Sequence, residues 1–144
     1  MSRTTQPAVA LIDAGPQVAF LNRNDPSHRR VKEMARRLAR TQLVTTWPCF
    51  TEAMYLLHRA DGHAGQDALW LLATNGVINL HDLTTADQQR MRALMAQYAD
   101  TPMDLADASL VAAAESLDLR RVFTLDDDFY LYRLADGSTL EIVR

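Results

Sequence analysis

Apolar residues in this chain come in short unbroken runs, separated by longer stretches in which they recur every three or four positions. Ala8-Val-Ala-Leu-Ile12 is one such run, bounded by Pro7 and Asp13, and it predicts a buried strand. Pro16 stands where a helix can begin, so residues 17–22 read as a short helix. Asp25-Pro-Ser27 is a helix-entry signal. After it Val31, Met34, Ala35 and Leu38 mark one face of an amphipathic helix reaching Arg40. Leu43-Val-Thr45 predicts a second strand, and Pro48 opens a helix to about Arg59. Residues 61–65 read as a loop, followed by a helix over 66–73 that ends at the breaker pair Asn75-Gly76.

The pattern repeats in the second half. Val77-Ile-Asn-Leu80 predicts a third strand. Thr84 with Asp87 three residues later resembles a capping box for a helix to Tyr98, with Met91, Leu94 and Met95 as its core stripe. Asp104 caps a helix to about Leu117. Arg121-Val-Phe-Thr124 is the fourth strand, and the alternating Thr139-Leu-Glu-Ile-Val143 is a fifth, at the sheet edge. Strands alternating with helices predict a three-layer α/β/α architecture around a mainly parallel sheet. No repeat, low-complexity stretch or linker divides residues 1–144, so a single domain is expected.

Composition narrows the class. The chain has 144 residues, 48% hydrophobic and 23% charged, ordinary for a globular protein with its own core. One cysteine, Cys49, rules out an intrachain disulfide framework and a multi-cysteine zinc site. It suits a reducing, cytoplasmic location. Apolar runs such as that around Leu110–Ala114 fall far short of the roughly 20 residues of a membrane span. The opening Met-Ser-Arg-Thr-Thr-Gln-Pro7 carries no signal-peptide core. A net charge of −3 leaves no global footprint of nucleic-acid binding.

The acidic residues carry the chemistry. In parallel α/β sheets the ligand crevice lies beyond the carboxyl ends of the strands. Asp13 directly follows strand one, and Glu52 lies early in the helix after strand two. Asp104 and Asp107 open the helix before strand four, and Asp126, Asp127 and Asp128 follow that strand. Each has a bland alternative as a cap, turn or solvated helix residue. Together, at matching strand ends, they form a candidate all-oxygen site for a hard cation, Mg²⁺ or Mn²⁺. Such a site suits phosphate-ester hydrolysis.

The same residues carry a resemblance. Leu11-Ile-Asp13-Ala-Gly-Pro-Gln-Val-Ala-Phe-Leu21, with Asp25-Pro-Ser-His28 after it, resembles the opening of a PIN domain. Thr51-Glu52-Ala resembles that family's second motif, Met103-Asp104-Leu-Ala-Asp107-Ala-Ser-Leu-Val-Ala its third, and Val122-Phe-Thr124-Leu-Asp126-Asp-Asp128-Phe129 its fourth. The four stand in order over nearly the whole chain. The resemblance implies a PIN-like, metal-dependent ribonuclease similar to the VapC-type toxins of toxin–antitoxin pairs. It implies Asp13, Glu52, Asp107 and Asp126 as the catalytic, metal-holding acids, with Asp104 and Asp128 secondary. It further implies an RNA substrate, a cognate antitoxin and a homodimer. One departure is Gly15, where many relatives carry a hydroxyl that steadies the first aspartate.

Rival readings stay open. A dehalogenase-like phosphatase needs a second Asp where Gly15 stands, and a receiver domain needs a strand-end lysine, whereas Lys32 falls in a helix. An inactive PIN-like binding module and a DNA-directed nuclease are not excluded by any residue. Residues 23–40 hold seven of the fifteen basic residues. Arg29, Arg30, Arg36 and Arg37 are therefore candidates for RNA phosphates, against a solvated face or a partner surface. His28, His58, His63 and His81 lack ligand spacing and read as surface or loop residues. Cys49, Trp47 and Trp70 read as packing.

Overall fold

The computed structural model describes residues 8–101 and 103–143. The reading of the opening segment, residues 1–7, lies outside them. Five strands, β1 (Val9–Ile12), β2 (Gln42–Thr46), β3 (Ile78–His81), β4 (Arg121–Phe123) and β5 (Glu141–Val143), form one sheet in the order β3-β2-β1-β4-β5. Every pairing is parallel, and β5 takes the expected edge. Central β1 pairs Leu11 with Val44 on one side and with Val122 on the other. The chain winds outward from β1 to β3, then returns to begin β4 on β1's opposite side. That reversal leaves a crevice beyond the carboxyl ends of β1 and β4.

Alternation along the strands divides the core. Leu11 and Val122 point into one apolar cluster, with Leu94, Leu110, Val111 and Phe129. Their neighbours Ile12 and Phe123 point into the other, with Val18, Val31, Phe50, Leu57 and Leu69. A period of two thus feeds both faces. The helices α1 (Ala14–Leu21), α2 (His28–Arg37) and α3 (Trp47–Thr74) supply the second cluster, and α4 (Thr85–Gln97) and α5 (Leu105–Leu117) supply the first. The expected three layers follow.

Several local expectations need correction. The loop at 61–65 is replaced by a kink inside α3, confined to Asp61 (φ −148°) and Gly62 (φ 58°, ψ −144°). Gly62 takes a left-handed φ without a Cβ penalty. Past the kink, a Cβ on Gly65 would stand 2.9 Å from the Leu57 carbonyl oxygen, so the chain closes back tightly there. In α4 the capping box forms as expected, with Thr84 and Asp87 exchanging hydrogen bonds. Of its stripe, Met91 and Leu94 are buried, but Met95 turns outward and is 37% exposed. Four residues make slightly more than one turn, which carries Met95 past the buried edge.

Candidate active site

Each acid is placed by its element's end. The β1 strand stops at Ile12, and Asp13 becomes the N-cap of α1, its Oδ1 accepting from the Ala14 amide at 2.8 Å. Its Oδ2 accepts from the Thr124 hydroxyl, also at 2.8 Å. Thr124, just past β4, is fully buried. The same Thr124 oxygen accepts from the Asp126 amide at 3.0 Å, so one hydroxyl ties two acids from distant parts of the chain. Asp104 caps α5, its Oδ1 accepting from the Asp107 amide at 2.8 Å. Asp107 stands in that first turn, and its Oδ2 accepts from the Tyr132 hydroxyl at 2.7 Å. Glu52 projects from the second turn of α3.

Asp13, Glu52, Asp104, Asp107 and Asp126 line one cavity of about 260 Å³, with Ala14, Gly15 and Leu125 between them. Asp128 is not on its wall; its amide donates to Asp126 Oδ1 at 2.9 Å and so fixes that acid. Asp104, expected to be secondary, both caps α5 and lines the cavity. Arg29, Arg30, Arg36 and Arg37 are all exposed on α2, and none lines the cavity. His28, at the start of α2, meets the Ala19 carbonyl at 2.6 Å. The basic helix therefore begins near the end of α1 remote from Asp13.

Charge accumulates in the cavity. Burial, followed by the charges of Asp104, Asp13 and Asp126, pushes Asp107 up to about 7, against the opposing Tyr132 hydrogen bond. Burial also raises Asp13, with Asp126 and Asp104 adding repulsion, while the bonds from Thr124 and Ala14 oppose the shift. Glu52 rises through partial burial and the charges of Asp13, Asp104 and Asp126. Asp128 rises chiefly from the charge of Asp126. Like charges sharing a site behave this way.

A bound cation relieves such repulsion, and an all-carboxylate donor set selects a hard one. Among the described residues, no three His, Cys, Asp or Glu side chains are already gathered into a metal-binding group. The acids share a wall and do not converge on one point. Each carboxylate oxygen already bonded retains a second lone pair.

Two positioning residues escaped the sequence reading. Thr124 reads from the sequence as a strand end within the fourth motif, with no role of its own; a hydroxyl two residues before Asp126 is the signal. From just past β4 it donates a hydroxyl hydrogen bond to Asp13. Tyr132 left no signal, since its role depends on the turn over Asp127–Tyr130 bringing it back to α5. Cys49 is buried as expected, and burial with the adjacent Asp13 raises its thiol, which stays neutral. Trp47 and Trp70 contact Phe50 edge-on but are 42% and 45% exposed, so packing accounts for only part of each. His81 is no surface residue: its Nε2 lies 3.2 Å from Asp87 Oδ2, partly buried.

Comparison with solved structures fits this arrangement. The chain superposes on the sarcin–ricin-loop-cleaving toxin VapC20 of Mycobacterium tuberculosis with a TM-score of 0.76, covering 86% of this chain and 94% of that one at 17% identity. The chain has the VapC toxin fold. The VapBC2 complex of Rickettsia felis, bound to a promoter DNA fragment, matches with a TM-score of 0.66 over 93% and 98% of the two chains at 12% identity. A toxin–antitoxin complex from Klebsiella pneumoniae matches at 0.63, over 83% and 89%, with 20% identity. No family model and no curated relative matches by sequence. The fold is thus shared at 12–20% sequence identity.

Proposed function

We propose that this protein is a metal-dependent endoribonuclease and the toxin of a toxin–antitoxin pair, acting with Mg²⁺ or Mn²⁺. One observation carries the reading: five carboxylates from four separate segments line a single cavity at the switch point of a parallel sheet. Glu52 and Asp107 are not N-caps, so capping alone does not account for the shared wall. The VapC fold supports the same reading.

Asp13, Asp107 and Asp126 would hold the cation, with Glu52 and Asp104 completing the acidic wall. A bound cation would offset charge on the scissile phosphate and ease deprotonation of a water. The chain's own residues orient these acids. Thr124 fixes Asp13 and Asp126 relative to each other, and Tyr132 fixes Asp107. Glu52 stays exposed at the rim, free to orient water. No side chain is required as a nucleophile.

An antitoxin is the proposed protein partner, and a second copy of the chain the proposed dimer partner. Beside the acidic cavity lies an open groove lined by Trp47, Pro48, Tyr55 and Leu105. Trp47, Tyr55 and Leu105 are each exposed, an apolar patch of the kind that marks an interface. Among the described residues, no helix is long and apolar enough to cross a membrane.

The test is cleavage of mixed cellular RNA with and without Mg²⁺. Wild type should cut only with the cation, and Asp13→Asn and Asp126→Asn should not cut. Asp127→Asn should cut normally, since Asp127 does not line the cavity. Cleavage by Asp13→Asn equal to wild type would remove the acidic cavity from the reaction.

A further inference from the structure

The acidic cavity continues past its acids. Glu52 and Asp104 also line the adjoining open groove, of about 690 Å³, whose walls hold Trp47 and Tyr55. Trp47 and Tyr55 in turn line a further groove of about 360 Å³, which reaches Trp70. Together the three make one track, running from the acids over the first part of α3 to Trp70 beyond its kink. Exposed rings mark it: Trp47 is 42%, Tyr55 60% and Trp70 45% exposed.

These rings are held in place before anything binds. Buried Phe50 meets two of them edge-on, with centroids 5.7 Å from Trp47 and 5.1 Å from Trp70. The Trp47 indole N–H donates to Asp82 Oδ1 at 3.3 Å, which fixes the direction of that ring. Tyr55 faces the same groove from farther along α3. The Arg59 guanidinium lies over its ring, 6.0 Å from the centroid, and so sets a positive charge beside the track. Large rings kept exposed in fixed orientations offer binding area at little cost in entropy.

We propose that Trp47, Tyr55 and Trp70 stack unpaired bases next to the scissile phosphate, so that the substrate is RNA in single-stranded form. The inference rests on the reading that the acidic cavity receives that phosphate. Nucleotides adjoining a phosphate held there must leave the cavity, and the track opens from it at Glu52 and Asp104. The two acids repel neighbouring phosphates, so at this point bases and not backbone face the protein. Arg59 offers a cation to a phosphate farther on. Every base has a π-face, so such rings hold unpaired bases of any sequence. Bases inside a duplex are stacked on each other and do not reach the rings. A protein partner is the competing occupant. Continuity with the acidic cavity favours RNA.

Trp47 and Trp70 are the only two tryptophans of the chain, so indole fluorescence reads the track directly. The probes are a short RNA of mixed sequence and the same strand annealed to its complement. Each is titrated into the full chain in a chelator at low salt. The single strand should quench the emission, and the duplex should not. Tyr55→Leu removes an exposed ring, leaves both tryptophans and introduces a good helix former, so the fold is kept. It should weaken single-strand binding about fivefold or more, the worth of one stacked base, and Tyr55→Phe should restore it. Cleavage of mixed RNA with Mg²⁺ is read separately. Quenching without cleavage would strike the nuclease reading and leave the RNA track standing. Cleavage without quenching would overturn the track and leave the nuclease standing. Equal quenching by the duplex would also overturn it. So would a Tyr55→Leu chain that binds the single strand as wild type does but loses its dimer or antitoxin complex in size-exclusion chromatography, which would assign the rings to a protein.

Discussion

Tyr132 donates its phenolic hydrogen to Asp107 Oδ2 at 2.7 Å, joining the segment after β4 to the first turn of α5. The Tyr132 ring is held edge-on by Tyr98 at 5.1 Å and by Phe129 at 5.2 Å, so its hydroxyl has a fixed address. Removing only that hydroxyl isolates its effect. Tyr132→Phe should cost about 1 kcal/mol of stability, the scale of one hydrogen bond. Because the bond favours the ionised carboxylate, Asp107 should then titrate higher still. The acid limb of the pH–rate profile should move to higher pH. An unmoved limb would show that Asp107 ionisation does not govern the rate.

Stability without cation should fall as pH rises. Asp107 is pushed up to about 7 in the folded chain, against roughly 4 for an unfolded aspartate. Between those values the native state binds more protons than the unfolded state, so stability decreases with pH. In a chelator, the melting temperature should be higher at pH 5 than at pH 8. Mn²⁺ should raise it most at pH 8, where proton competition is least, by mass action on the native state. An Asp13→Asn, Asp107→Asn double variant should show little of either effect. Equal Mn²⁺ shifts in wild type and double variant would place the cation elsewhere.

The Thr124 hydroxyl meets both Asp13 and Asp126. Thr124→Val keeps the shape of a fully buried residue and deletes both bonds. Residues that orient metal-holding acids typically account for about 10–100-fold in metal affinity. Titration calorimetry should show a loss of that size for Mn²⁺ in Thr124→Val, with Thr124→Ser close to wild type. If Ser and Val weaken binding equally, the methyl group and its packing matter, and the hydroxyl does not.

The basic helix separates two uses. Arg29, Arg30, Arg36 and Arg37 are exposed, and of these only Arg36 has an acidic neighbour within ion-pair distance among the described residues, Glu33 at 3.5 Å. If they meet RNA phosphates, replacing all four by Gln should flatten the salt dependence by about 0.7 in slope for each phosphate no longer neutralised. Mn²⁺ binding should be unchanged, because none lines the acidic cavity. An unaltered salt slope, with antitoxin complex formation abolished in size-exclusion chromatography, would assign this face to the partner. The start of α2 lies near the end of α1 remote from Asp13.

The sequence by itself determined the elements and the positions of the acids along them. Unbroken runs such as Val9–Ile12 read as buried strands because parallel strands are covered on both faces. The Thr84–Asp87 box and the Asp104 cap were legible because capping is local, settled within one helical turn. Gly62 and Gly65 mark the break in α3 along the chain, but only the close packing at Gly65 shows how soon the helix resumes. What tertiary structure alone decided is which groups meet. Asp13 and Thr124 are 111 positions apart, and Asp107 and Tyr132 are 25 apart. No periodicity within either segment encodes those pairings. The first follows from β1 pairing with β4 where the strand order reverses, the second from the turn over Asp127–Tyr130 that returns the chain to α5.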